Sequence, residues 1–289
     1  LNGGPNLAGD AFGGLNAYRY VAGRVPDNPQ PNGPVQVEVV DAGPVVATLR
    51  ITSDAPGCEK LVREMRVVDG LPHVYLADLL DKTAVYEQEG VHIAFPFNVP
   101  DGVIRMDTPF TVVRPEADQL EGACKNYFTV QRWVDVSNER RGVTWATLDA
   151  PLVEVGGITN DPRATEWITE LEPSTTILSY VMNNYWETNY KAAQEGPTTF
   201  RYVLRPHTGY DQAAAHRFGI AQSQPLVPVP LKQAYSAGDG LVAKQEGLMV
   251  MSMALLDANG QFRVRLFNTG EKPADVLAAF PQLAGTEAS

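Results

Sequence analysis

Apolar and polar side chains alternate along most of the chain, at the period of a β-strand. Val45, Ala47, Leu49 and Ile51 fall on one side of such a strand, with Val46, Thr48, Arg50 and Thr52 on the other. Leu61, Met65 and Val67 oppose Val62, Glu64, Arg66 and Val68. Phe200, Tyr202 and Leu204 oppose Thr199, Arg201, Val203 and Arg205, and near the end Phe262, Val264 and Leu266 oppose Arg263, Arg265 and Phe267. Each run predicts a strand with one face on a core and one face wetter.

Turn chemistry separates these runs. Asp69-Gly70, Asp101-Gly102, Asp239-Gly240 and Asn259-Gly260 tolerate the positive φ of a tight turn. With 22 prolines and 25 glycines spread along the chain, long helices have little room. One short helix is expected, capped by Asp211 and running from Gln212 to Phe218. Residues 23–34 hold four prolines and residues 223–230 hold three, and proline at this density favours extended connectors. The resulting map is all-β: a large unit over 1–222, a Pro-rich linker over 223–230 and a small β unit over 231–289.

Charge narrows the partners. Asp plus Glu number 34 against 23 Lys plus Arg, a net charge of −11. Nucleic-acid phosphates and anionic membrane surfaces are repelled by such a chain, whereas a neutral sugar is not. No apolar run approaches the ~20 residues that span a bilayer. The chain begins at Leu1 rather than methionine and reads as a piece of a longer one, so the compartment is not legible. Cys58 and Cys124 show no metal spacing; one bridge is open to them, and two free thiols is the simpler reading.

Catalytic motifs are scarce. The four histidines, His73, His92, His207 and His216, sit in no HxH, HExxH or His-x-Asp arrangement. Neither a GxSxG elbow nor a GxxxxGK phosphate loop is present. No residue is nominated as catalytic and none as a metal ligand.

Three stretches could carry binding chemistry. GVHIAFPF, residues 90–97, predicts a core strand that ends at Pro96, with His92 on its wet face. Residues 131–151 predict a hairpin with Trp133 and Asp135 on one face, Val134 and Val136 on the other, and a charged tip at Asn138 to Gly142. Arg140 and Arg141 at that tip could pair with acidic groups of a neighbouring domain, or simply be solvated. In YVMNNYWETNY, residues 180–190, a strand stops at Asn183-Asn184 and a loop follows with Tyr185, Trp186, Glu187, Asn189 and Tyr190. An aromatic face excludes water from the C–H patch of a pyranose, while amides and carboxylates satisfy its hydroxyls. Such a mixture suits a carbohydrate or a polar domain interface; the plainer alternative is a loop whose aromatics tuck under and whose amides cap turns.

Residues 180–207, with GVHIAFPF and QRWVDVSNERRGVTWATLDAPLVEVGG, resemble the C-terminal β region of glycoside hydrolase family 38, the α-mannosidases. FGGLNAYRYVAGRVPDNP is similar to the lead-in to that region in bacterial members, and the stretch from Gly247 to Phe280, with RLFNTGEKP, to the small terminal module. The resemblance implies an antiparallel supersandwich of the galactose-mutarotase-like type followed by a small β-sandwich module, here incomplete or differently closed. It places the zinc ligands and the nucleophilic aspartate of a retaining mechanism in an N-terminal catalytic domain that precedes this stretch. No cofactor is therefore expected in this segment. The expected partners are the chain's own catalytic domain and an oligosaccharide or glycan substrate. Asn183 to Tyr190, His92, Arg140 and Arg141 are the expected contacts to that domain or to sugar. Two rivals stand beside this reading. One is a free-standing carbohydrate-binding module; the other is a mutarotase-like enzyme using His92 or His207 with a carboxylate.

Overall fold

The computed structural model describes residues 32–86, 90–158, 168–183, 191, 193–224, 242–243, 247–255, 262–270, 272–275 and 278–279. The chain divides into two compact units, Leu1–Tyr210 and Asp211–Ser289. The first carries thirteen strands among its described residues: β1 (Gln36–Ala42), β2 (Val46–Ala55), β3 (Cys58–Val68), β4 (Val74–Lys82), β5 (Gly90–Pro96), β6 (Val103–Thr108), β7 (Thr111–Val113), β8 (Phe128–Thr129), β9 (Trp133–Ser137), β10 (Gly142–Thr147), β11 (Leu152–Val155), β12 (Thr176–Asn183) and β13 (Gly196–His207).

Nine of these form one sheet in the order β1-β2-β3-β4-β13-β10-β9-β6-β7, and four form a second, β5-β12-β11-β8. Every pairing is antiparallel. The predicted alternation is what builds both sheets. Asp69-Gly70 turns β3 into β4 with Gly70 at φ 74°, as a positive-φ turn requires.

The sheets share one core. Phe200 and Tyr202 of β13 and Trp145 of β10 meet Phe95 of β5, Ile177 of β12 and Val153 of β11. The Phe95 ring lies 4.8 Å from Tyr202 and 5.2 Å from Trp145, in tilted and edge-on geometry. Tyr202 Oη also donates to Ser179 Oγ of β12 at 3.0 Å, a polar bond joining the layers inside the core.

Two departures from simple alternation matter. First, the β9–β10 hairpin has no wet face: Trp133, Val134, Asp135 and Val136 are all buried, as are Thr144 and Trp145. Second, the face of β1–β3 that is continuous with the core lies open. Val37, Val39, Leu49, Met65 and Val67 share that face through the register and are 39–64% exposed. The opposite face of these strands carries the expected charges, with Arg50 bridging Glu38 and Glu64.

In the second unit, α1 (Gln212–Ser223) is capped by Asp211, whose carboxylate accepts from Ala214 N at 2.9 Å. It runs one turn beyond the predicted end. The unit boundary falls before Asp211, so the helix belongs with this unit rather than with the preceding strands. A hairpin of β15 (Leu248–Leu255) and β16 (Phe262–Asn268) and a short pair, β14 (Val242–Ala243) with β17 (Ala278–Ala279), complete its described elements. His216 meets the Phe267 ring edge-on at 5.6 Å. Most of the 223–230 connector, and both Asp239-Gly240 and Asn259-Gly260, lie outside the described residues.

Gly142 opens β10 where no side chain fits: a Cβ there would stand 2.3 Å from Ser137 Cβ and 2.6 Å from His207 Cε1. Gly142→Ala is expected to cost about 1–3 kcal/mol by overpacking, read as a lower urea midpoint at unchanged slope.

Candidate functional site

The nominated residues fall in three places. Arg140 and Arg141 stand exposed at the β9–β10 tip, where both backbone amides donate to Asn138 Oδ1. Asn138 in turn donates to Pro100 O at 2.8 Å, so the tip is anchored while the arginine side chains remain outside. Asn183 ends β12, paired with Gly90. Asn184, Tyr185, Trp186, Glu187, Asn189 and Tyr190 lie outside the described residues.

His92 is not on a wet face. Its side chain is 6% exposed, stacked on Tyr180 at 4.3 Å with the rings 13° from parallel, and its Nε2 lies 3.4 Å from Glu154 Oε1. Register explains the grouping. Tyr180 pairs with His92 across β12 and β5, and Glu154 pairs with Leu178 on the other side of β12. All three therefore project from the face of the small sheet opposite the core. The bulge between Tyr180 and Met182 falls beside this group, and Asn183 follows directly. The structure thus brings His92 and Asn183 to one end of the small sheet and leaves Arg140 and Arg141 on the other sheet.

A second histidine–carboxylate pair was visible in sequence only as His207. Asp135 on β9 is wholly buried, and Thr144 Oγ1 donates to its Oδ2 at 2.9 Å. Ser137 Oγ donates to the other oxygen. His207 Nε2 lies 2.8 Å from Asp135 Oδ2, and its Nδ1 lies 2.6 Å from Gly209 O. Both ring nitrogens thus face oxygens able to accept, an arrangement that favours the protonated ring. The bond to Asp135 accordingly holds the His207 pKa above 6.5, against the opposing effect of burial. Arg105 adds a further cation, 4.0 Å from Asp135 and 4.1 Å above the Tyr210 ring. With its donors and counter-charge closed around it, this network has the character of a structural lock.

Two other carboxylates in the first unit are shifted by burial. Burial pushes Asp107 up to about 7, with Arg132 at 4.0 Å only partly opposing it. Burial likewise pushes Asp78 up to about 6, despite Arg63 at 3.3 Å. Among the described residues no group of three or more His, Cys, Asp and Glu is placed to hold a metal ion. No helix there is long and apolar enough to cross a membrane.

No protein-family model and no curated protein matches the chain. Solved structures do. An α-mannosidase from Enterococcus faecalis V583 superposes over 85% of this chain with a TM-score of 0.61 at 14% identity. A protein in glycosyl hydrolase family 38 from Enterococcus faecalis gives the same coverage, TM-score and identity. The fold is that of a part of these glycoside hydrolase chains. The present chain spans 31% and 32% of their lengths.

The raised His207 pKa gives a pH test with a definite sign. Its folded pKa is raised, so its contribution to stability is complete below the unfolded value of about 6.5 and is lost as pH rises through the folded value. His207→Gln is expected to destabilise more near pH ~6 than near pH ~9, measured by urea unfolding at both pH values. An equal loss at both would show that His207 is neutral in the folded chain.

Proposed function

We propose that this chain is the non-catalytic C-terminal β region of a family-38-like α-mannosidase, scaffolding a catalytic domain and shaping the rim of its substrate site. In this reading the first unit is a supersandwich of the galactose-mutarotase-like type and the second a small β-sandwich module. Zinc and the nucleophilic aspartate belong to the catalytic domain.

The open inner face of β1–β3 carries the reading. Val37, Val39, Leu49, Met65 and Val67 form an apolar surface that continues the core, and among the described residues no second layer covers it. Contiguous apolar surface of this kind marks an interaction site. The fold match supports a cover from within a longer polypeptide, because the matched chains are about three times as long. Asn183 and the residues after it, with Arg140 and Arg141, are the proposed contacts toward that domain or its sugar.

The mutarotase-like alternative gains one observation, since His92 and His207 both pair with carboxylates. It is the weaker reading, because side chains of His92 and Glu154 that are 6% and 5% exposed leave a hexose little access to the pair.

The isolated chain is expected to show no hydrolysis of an aryl α-mannoside with or without added zinc; zinc-dependent turnover would sink the scaffold reading. It is also expected to bind an environment-sensitive apolar dye. Met65→Glu should weaken that binding while shifting stability by less than about 0.5 kcal/mol, as surface substitutions do. Dye binding indifferent to Met65→Glu would remove the case for a docking face.

A further inference from the structure

We propose that a cleft at the far end of the small sheet is a binding subsite for a short neutral oligosaccharide. The inference rests on the glycoside-hydrolase reading for its sugar class but not for its location. The cleft has a volume of about 840 Å³, within the range of roughly 300–1,000 Å³ common to small-molecule sites. It lies where β5 ends at Pro96 and β12 begins at Thr176. Asn183 pairs with Gly90 at the opposite end, about 20 Å away along the strands, so this is not the place the sequence nominated.

Three segments frame the cleft: the β5–β6 connection, the turn after β7 and the approach to β12. Each is fixed by its own bonds. Gly102 N donates to Val99 O at 2.9 Å, Thr175 Oγ1 to Phe97 O at 2.6 Å, and Leu171 N to Glu116 Oε1 at 2.6 Å. Gly102 permits this closeness, since a Cβ there would meet Val99 O at 2.8 Å and Thr175 Cγ2 at 3.0 Å. Prolines 96, 100, 115 and 173 stiffen the walls. A cleft fixed in this way loses little freedom when a ligand enters.

Its chemistry suits a sugar. Half-buried Phe97 and Ile104 supply apolar surface for pyranose C–H groups. Asn98, Asp101 and Glu172 line it as exposed side chains with no hydrogen bond or ion pair to any described residue. An amide and two carboxylates offer one donor group and several acceptors to hydroxyls. The cations nearby are already engaged. Arg114 is held by both oxygens of Asp118, at 3.0 and 2.8 Å, and Lys125 is buried beside Glu116. Uncompensated charge at the mouth is therefore negative, which excludes anionic sugars and leaves neutral ones.

The test is titration of the isotope-labelled chain with α-linked mannotriose, maltotriose and trigalacturonate, followed by amide chemical shifts and calorimetry. Saturable shifts at Gly102, Ser174 and Thr175 with a neutral trimer, at a Kd of about 1 mM, and none with trigalacturonate support the proposal. Asn98→Ala and Glu172→Ala should each weaken binding about 10-fold, a lost hydrogen bond's worth, without moving the thermal midpoint. Equal binding of trigalacturonate overturns the proposal. So do shifts that map elsewhere, or no shift with either neutral trimer at ~50 mM, far above millimolar affinity. These signals are independent of the dye signal at Met65, so this proposal and the docking reading can fail separately.

Discussion

The bond from Tyr202 Oη to Ser179 Oγ, set among the Phe95, Trp145 and Tyr202 rings, fixes how the two sheets of the first unit lie on one another. Apolar contact alone is tolerant of sliding, because one aliphatic neighbour substitutes for another. A buried hydroxyl is not tolerant, since an unmet polar group in the core is costly. Burial also holds the Tyr202 phenol well above its ordinary pKa, keeping it a donor across the working range. Once β12 and β5 are aligned over β13 and β10, the remaining geometry follows. Four strands cannot cover nine, and the shortfall lies at β1–β3. The open apolar face is thus a consequence of sheet widths rather than of any unusual sequence in those strands.

The same unit treats its buried carboxylates in two ways. Asp135 is given Ser137, Thr144 and His207 as partners, which makes it a connector between β9, β10 and the end of β13. Gly142 makes room for that connector, and its missing Cβ is as much a part of the network as the polar atoms. Asp78 faces Arg63 at 3.3 Å, and Asp107 faces Arg132 at 4.0 Å with a hydrogen bond from the Arg132 backbone as well, and burial prevails over both.

Strand positions, the Asp69-Gly70 turn, the Asp211 cap and the β9–β10 hairpin were legible because each depends on neighbours a few residues away. The partners of the histidines were not. Asp135 and His207 are separated by 72 positions, and only the order β13-β10-β9 places them together. His92 was placed on a wet face because alternation gives the side of a strand but not what lies over it. The same limit hid the burial of both faces of β9 and the exposure of Leu49 and Met65. The cleft had no sequence signature: its residues come from three separate connections, and Asn98, Asp101 and Glu172 read singly as ordinary loop residues. The aromatic and amide loop after Asn183 lies outside the described residues.

The upward shifts of Asp107, Asp78 and His207 act in the same direction on the folding reaction. Near neutrality the unfolded chain leaves Asp107 and Asp78 ionised and His207 largely neutral, whereas folding shifts all three toward the protonated form. Folding therefore draws protons from the surrounding buffer. The heat recorded in a scanning calorimeter accordingly includes the buffer's own ionisation enthalpy, so unfolding enthalpies of this chain are comparable only between buffers of matched protonation heat.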